Sequence, residues 1–131
     1  LKTAHAFKLI DIKTLALAFA IGLLIPLILV QLTLWALSSS GNTNLYILGS
    51  MLLYAVYFLI IPMSVGYIAS LKAKQLPYYH GIGATLLFAI TAYTLSEPIY
   101  WWLDFTQFLA HALLGFLGTY IAARRRNVQS L

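Results

Sequence analysis

The chain has no cysteine and very little charge. Without thiols it can form no disulfide, no thiolate metal site and no iron–sulfur cluster, and it can run no thiol redox chemistry. Acid is scarce: there are three Asp and Glu against eight Lys and Arg in 131 residues. Only 8% of residues are charged, where a soluble domain carries about a quarter. So few charges cannot cover a water-facing surface, which excludes a soluble globular domain. Disorder is excluded by the opposite excess, because 62% of residues are apolar and the mean hydropathy is +0.88. A glycine-rich phosphate loop, a pair of histidines at metal-ligand spacing and a nucleophile elbow are also missing. What remains is the composition of a small polytopic membrane protein.

The gaps between charges outline the spans. Between Lys13 and Lys72 lie 58 uncharged residues, between Lys74 and Glu97 another 22, and between Asp104 and Arg124 another 19. A bilayer core takes about 20 apolar residues per helix, so the long gap holds two helices and each shorter gap one. The first span is expected over about 14–37, with a kink at Pro26. The Ser/Gly/Asn stretch 38–44 is the clearest loop, and Thr43 or Asn44 is the expected cap of the second span, about 45–71, in which Pro62 predicts a kink or tilt. Pro77 suits the first turn of a third span, about 77–96. Pro98 disfavours helical dihedrals at Glu97, which predicts a break and an interfacial turn over about 97–104 before a fourth span, about 105–123.

Four spans put both termini on one side. All eight Lys and Arg then fall on that side, in an N-terminal segment, the second loop and the tail Arg124, Arg125 and Arg126, while Glu97 and Asp104 fall on the other. By the positive-inside rule both termini are expected in the cytoplasm. Trp35, Trp101, Trp102 and Tyr100 fit an aromatic belt at the opposite interface. The positive charge therefore reads as topology, with the bilayer as partner and no nucleic acid. The segment from Leu1 to Lys13 shows no clean apolar face and reads as a basic juxtamembrane stretch. A faint internal repeat, Gly66 to Ser70 against Thr119 to Ala123, fits a common way for helices to leave a membrane better than a duplication.

Candidate chemistry lies on two stripes. In the fourth span Asp104, Gln107, His111, Gly115, Gly118 and Ala122 follow helical spacing on one face. The stripe is polar at one end and small at the other. Gly115, Gly118 and Ala122 are expected to pack another helix, and His111 is the one ionisable group clearly inside a span. Its structural reading is a neutral histidine donating one hydrogen bond to a neighbouring helix. Its functional reading is a ligand or proton site with Asp104, Gln107 and Glu97. In the second span Tyr46, Ser50, Tyr54, Tyr57, Ile61 and Ser64 align. A hydrogen-bonded seam is the structural reading, and a pocket wall at Tyr54 and Tyr57 is the functional one. His80 and His111 lie at different depths and His5 lies outside the spans, so a bis-histidine haem within one chain is not expected. No cofactor and no metal are expected.

The sequence thus predicts an all-α, up-down-up-down four-helix bundle in the cell (inner) membrane. The first functional expectation is a non-catalytic subunit or assembly partner of a larger membrane complex, or a self-associating protein. The alternative is a small homo-oligomeric transporter or channel using the polar face of the fourth span. An intramembrane enzyme ranks last, since Glu97, Asp104 and His111 are its only candidate acids and bases.

Overall fold

The computed structural model describes residues 10–129, and these form four helices joined by short linkers, with no strand among them. Helix α1 is Ile12–Ser39, α2 is Thr43–Lys72, α3 is Pro77–Leu95 and α4 is Trp101–Gln129. Three of them, α1, α2 and α4, are long and apolar enough to cross a membrane. Helix α3 is shorter at 19 residues, and Tyr78, Tyr79, His80, Thr85, Thr91, Tyr93 and Thr94 dilute its apolar character. The stretch 1–9, with Lys2, His5, Lys8 and most of the predicted juxtamembrane segment, lies outside the described residues.

Local chemistry accounts for the ends. Asp11 caps α1, accepting from the Lys13 backbone N–H at 3.0 Å and from the Thr14 hydroxyl at 2.9 Å. The Thr14 hydrogen bond is the main reason its carboxyl sits below the ordinary Asp range. The cap of α2 is Asn42, whose Oδ1 accepts from Leu45 N–H at 3.1 Å, and not Thr43 or Asn44 as the sequence predicts. The preceding Gly41, at φ +69°, turns the chain so that Asn42 is extended and its side chain reaches the first turn. Pro77 opens α3 as expected, and α3 ends at Leu95, with Ser96 extended ahead of Pro98. Glu97 therefore lies in a linker outside the helix.

Helix α4 begins at Trp101, so the predicted interfacial turn over 97–104 shrinks to a linker of a few residues. The Tyr100 carbonyl accepts from both Leu103 and Asp104 N–H, at 3.0 Å each, which starts the helix early. Asp104 then sits in the first turn, where a carboxylate complements the helix dipole. At its other end α4 runs past 123, so Arg124, Arg125 and Arg126 are helical. The irregularity in α1 is a π-helical turn over Ala20–Leu24, just before Pro26. Proline lacks the N–H that would bond the Gly22 carbonyl, and a wider turn relieves the ring's clash with that carbonyl.

The bundle is tight at one end and open at the other. At the tight end Asp11, the α2–α3 linker and Arg126 come together: Asp11 N–H donates to His80 Nε2 at 2.8 Å, and the Arg126 guanidinium donates to the carbonyls of Ser70 and Ala73. The described basic residues cluster here. Ala18, Ile61, Val65, Ala69, Ala84 and Phe88 form the core. Small residues let the backbones touch. Gly66 faces the Gly115 carbonyl and the hydroxyls of Thr119 and Thr85, Gly118 lies on the Met63 carbonyl, and a Cβ at Gly22 would stand 2.6 Å from Val65 Cγ2. At the other end the second half of α1, Ile25–Ser39, packs on α2 and on neither α3 nor α4. Most large apolar side chains on the outside of the bundle are exposed.

Candidate functional site

The open end of the bundle encloses a cavity of about 650 Å³. Leu23 and Leu27 of α1 form one wall, and Tyr54, Tyr57 and Phe58 of α2 the next. Phe88, Thr91 and Ala92 of α3 face them, the linker brings Glu97 to the mouth, and α4 contributes Asp104, Gln107, Ala110 and His111. All six residues that the sequence proposed as a ligand or proton site thus line one cavity: His111, Asp104, Gln107, Glu97, Tyr54 and Tyr57. The lining contains no Lys or Arg.

Helix spacing explains the grouping. The α4 stripe faces inward along its length, and it becomes more enclosed from Asp104 and Gln107, both half-buried, to His111 and the fully enclosed Gly115, Gly118 and Ala122. The glycines close the tight half, and the polar residues face the half where α1 swings away. Helix α2 follows the same division: Tyr54 and Tyr57 lie on the open side, and Ile61 is buried in the core.

His111 lies at the floor, only 1% exposed. Its ring packs between Phe58 and Phe88, with centroids 4.8 and 5.3 Å away. Its Nε2 has no hydrogen-bond partner, and the rings facing it offer none, where the structural reading of the sequence expects one hydrogen bond from His111 to a neighbouring helix. The predicted tyrosine seam is also absent. Tyr54 is 62% exposed and meets Phe58 ring to ring, and no hydrogen bond joins Tyr46, Tyr54 or Tyr57 to another helix. The helices diverge at this level, so the hydroxyls point into the cavity or away from the bundle.

Gly115, Gly118 and Ala122 do pack helices, but those of this chain. Thr85 of α3 sits on Gly115, Met63 of α2 on Gly118, and Ala122 is fully buried. Of the interface residues, Trp35, Trp101, Trp102 and Tyr100 are exposed at the open end, and Tyr100 stacks on Trp102 with ring centroids 6.0 Å apart. Arg124 is exposed, Arg125 donates to the Tyr67 hydroxyl at 2.7 Å, and Arg126 reaches α2.

Two residues have structural jobs that the sequence did not announce. His80 is completely buried, with Nδ1 3.0 Å from the Leu76 carbonyl and Nε2 receiving the Asp11 N–H. This pattern requires the neutral ring with its proton on Nδ1. Arg126 satisfies carbonyls left over at the end of α2. Asp11, Ser70 and Ala73 lie dozens of residues from the side chains they meet, so only the placement of Pro77 and the run of three arginines hinted at either. Among the described residues no three His, Asp or Glu side chains gather as a metal site. Comparison of the chain with known protein families, with curated proteins and with solved structures finds no match in any of the three.

Proposed function

We propose that this chain is a non-catalytic, multi-pass protein of the cell membrane that binds a small amphipathic molecule in the cavity at its acidic end, as a small carrier would. In this reading all four helices span the bilayer, α3 being shielded by its neighbours, and both termini are cytoplasmic. The cavity then opens toward the outer face. The observation that carries the reading is the convergence of Glu97, Asp104, Gln107, His111, Tyr54 and Tyr57 on one apolar-walled space. Its volume lies within the roughly 300–1,000 Å³ of small-molecule sites. The subunit reading keeps the scarcity of charge within the spans as a ground but loses the small face of α4, which is filled from within the chain.

The natural absence of cysteine makes the test direct. Single cysteines at Gln107 and Ala110, on the cavity wall, are expected to react with a membrane-impermeant maleimide added outside intact cells, while one at the lipid-facing Leu113 is not. Reaction only from the cytoplasmic side, or equal protection of all three, would refute the proposed opening.

A second reading, membership of a larger complex, is favoured by Gln31. Its amide is exposed halfway along the second half of α1, where the other polar side chains, Thr33, Ser38 and Ser39, bond carbonyls of their own helix. A polar amide facing lipid is satisfied by a partner helix. Purification in mild detergent with mass measurement separates the possibilities: a stoichiometric foreign partner supports the subunit reading, and a monomer or symmetric self-oligomer supports the carrier.

A further inference from the structure

We propose that the ligand of this cavity is a monovalent cation with a bulky apolar body; the inference rests on the binding reading above and names the chemical class. The only formally charged side chains on the wall are the carboxylates Glu97 and Asp104. Every Lys and Arg from Lys13 onward belongs to the opposite end of the bundle or to the loop and tail beside it, so among the described residues no cation neutralises them. Two carboxylates at the mouth of a low-dielectric cleft attract positive charge and repel anions. An acyl chain with a phosphate headgroup is thereby disfavoured.

The floor points to an occupant as well. His111 forms part of this floor, is 1% exposed, and its enclosed Nε2 finds no hydrogen-bond partner within the chain. Tyr54, Tyr57 and Phe58 add aromatic side chains to the cavity wall, which suit an apolar body and can attract a cation through their π systems. The two carboxylates set the sign of the charge, and the aromatic walls set the hydrophobic character.

The test uses two probes of matched shape and opposite charge, tetraphenylphosphonium and tetraphenylborate. The full chain is purified in a non-ionic detergent and binding is followed by equilibrium dialysis. Specific binding is the part removed by Ala110→Trp, which fills the cavity. Saturable binding of the phosphonium is expected, with Glu97→Gln and Asp104→Asn each weakening it roughly five- to tenfold, as a screened charge near a protein surface should. Both replacements are nearly isosteric and lie outside the core, and a melting temperature close to wild type confirms that the fold is kept. Specific binding of tetraphenylborate alone, or equal binding of both ions with no loss in the double variant, overturns the cationic class while leaving a binding cavity. No specific binding of either ion overturns the class and the binding reading together.

Discussion

His80 and His111 illustrate how much a residue's surroundings decide. Both are buried histidines in helices, yet one is fully satisfied and the other is not. His80 fastens the start of α1 to α3 by accepting the Asp11 N–H. Replacing it with Phe strands that donor, at a cost of about 1–3 kcal/mol; the expected readout is faster hydrogen exchange at the Asp11 amide and a lower melting temperature. Asp11 gives a pH-dependent counterpart. Because the Thr14 hydroxyl lowers its carboxyl pKa, the carboxylate's contribution is fully present above the ordinary Asp range and is lost as pH falls through the depressed value. Acid fraying of the first turn of α1 is therefore expected only below about pH 4. Asp11→Asn should remove this pH dependence while keeping a competent cap, measured as amide exchange across the first turn. A carboxylate that caps equally well after protonation would contradict the assignment.

Helix contacts are where small residues matter. A methyl group at Gly66 would run into the α4 backbone at Gly115, which cannot move without shifting the whole helix. Gly66→Ala is expected to cost about 1–3 kcal/mol in stability, whereas Gly83→Ala, whose nearest neighbour would be the flexible Leu15 tip at 3.8 Å, should be close to neutral or mildly stabilising. Comparing their thermal unfolding in detergent checks the crossing. Arg126→Ala should loosen the end of α2 by leaving the Ser70 and Ala73 carbonyls without their donor, read as increased proteolysis around Lys72 and Lys74.

Much of this element-level structure was legible in the sequence. Charge gaps, Pro77 and Pro98 marked the helices, and the spacing from Asp104 to Ala122 marked the inward face of α4. What stayed hidden depended on three-dimensional placement. The sequence could not tell that Gly115 would meet Thr85 instead of a foreign helix, nor that aromatic rings would surround His111. Pro26 announced an irregularity in α1, but its form, a π turn one step earlier, depends on how the chain accommodates the proline ring.

For the whole molecule the main feature is asymmetry: a tight basic half and an open acidic half. The six candidate residues were named from two helical stripes and a proline break, and the diverging helices collect them around one space. That space was not legible beforehand, because it exists only where α1 leaves α3. Closure of the tight half depends chiefly on α4, which supplies Gly115, Gly118, Thr119 and Arg126 to contacts with α2 and α3. Helix α4 is also the last of the four to be synthesised. Until α4 is in place, Gly66, Thr85 and the end of α2 lack the partners that cover them. Stopping synthesis before Trp101 should therefore leave a three-helix chain that cells degrade faster than the full-length protein, a difference that pulse-chase labelling can measure. Closure of the bundle waits on α4, so the half-life of the protein should be governed by the contacts that this helix makes with α2 and α3.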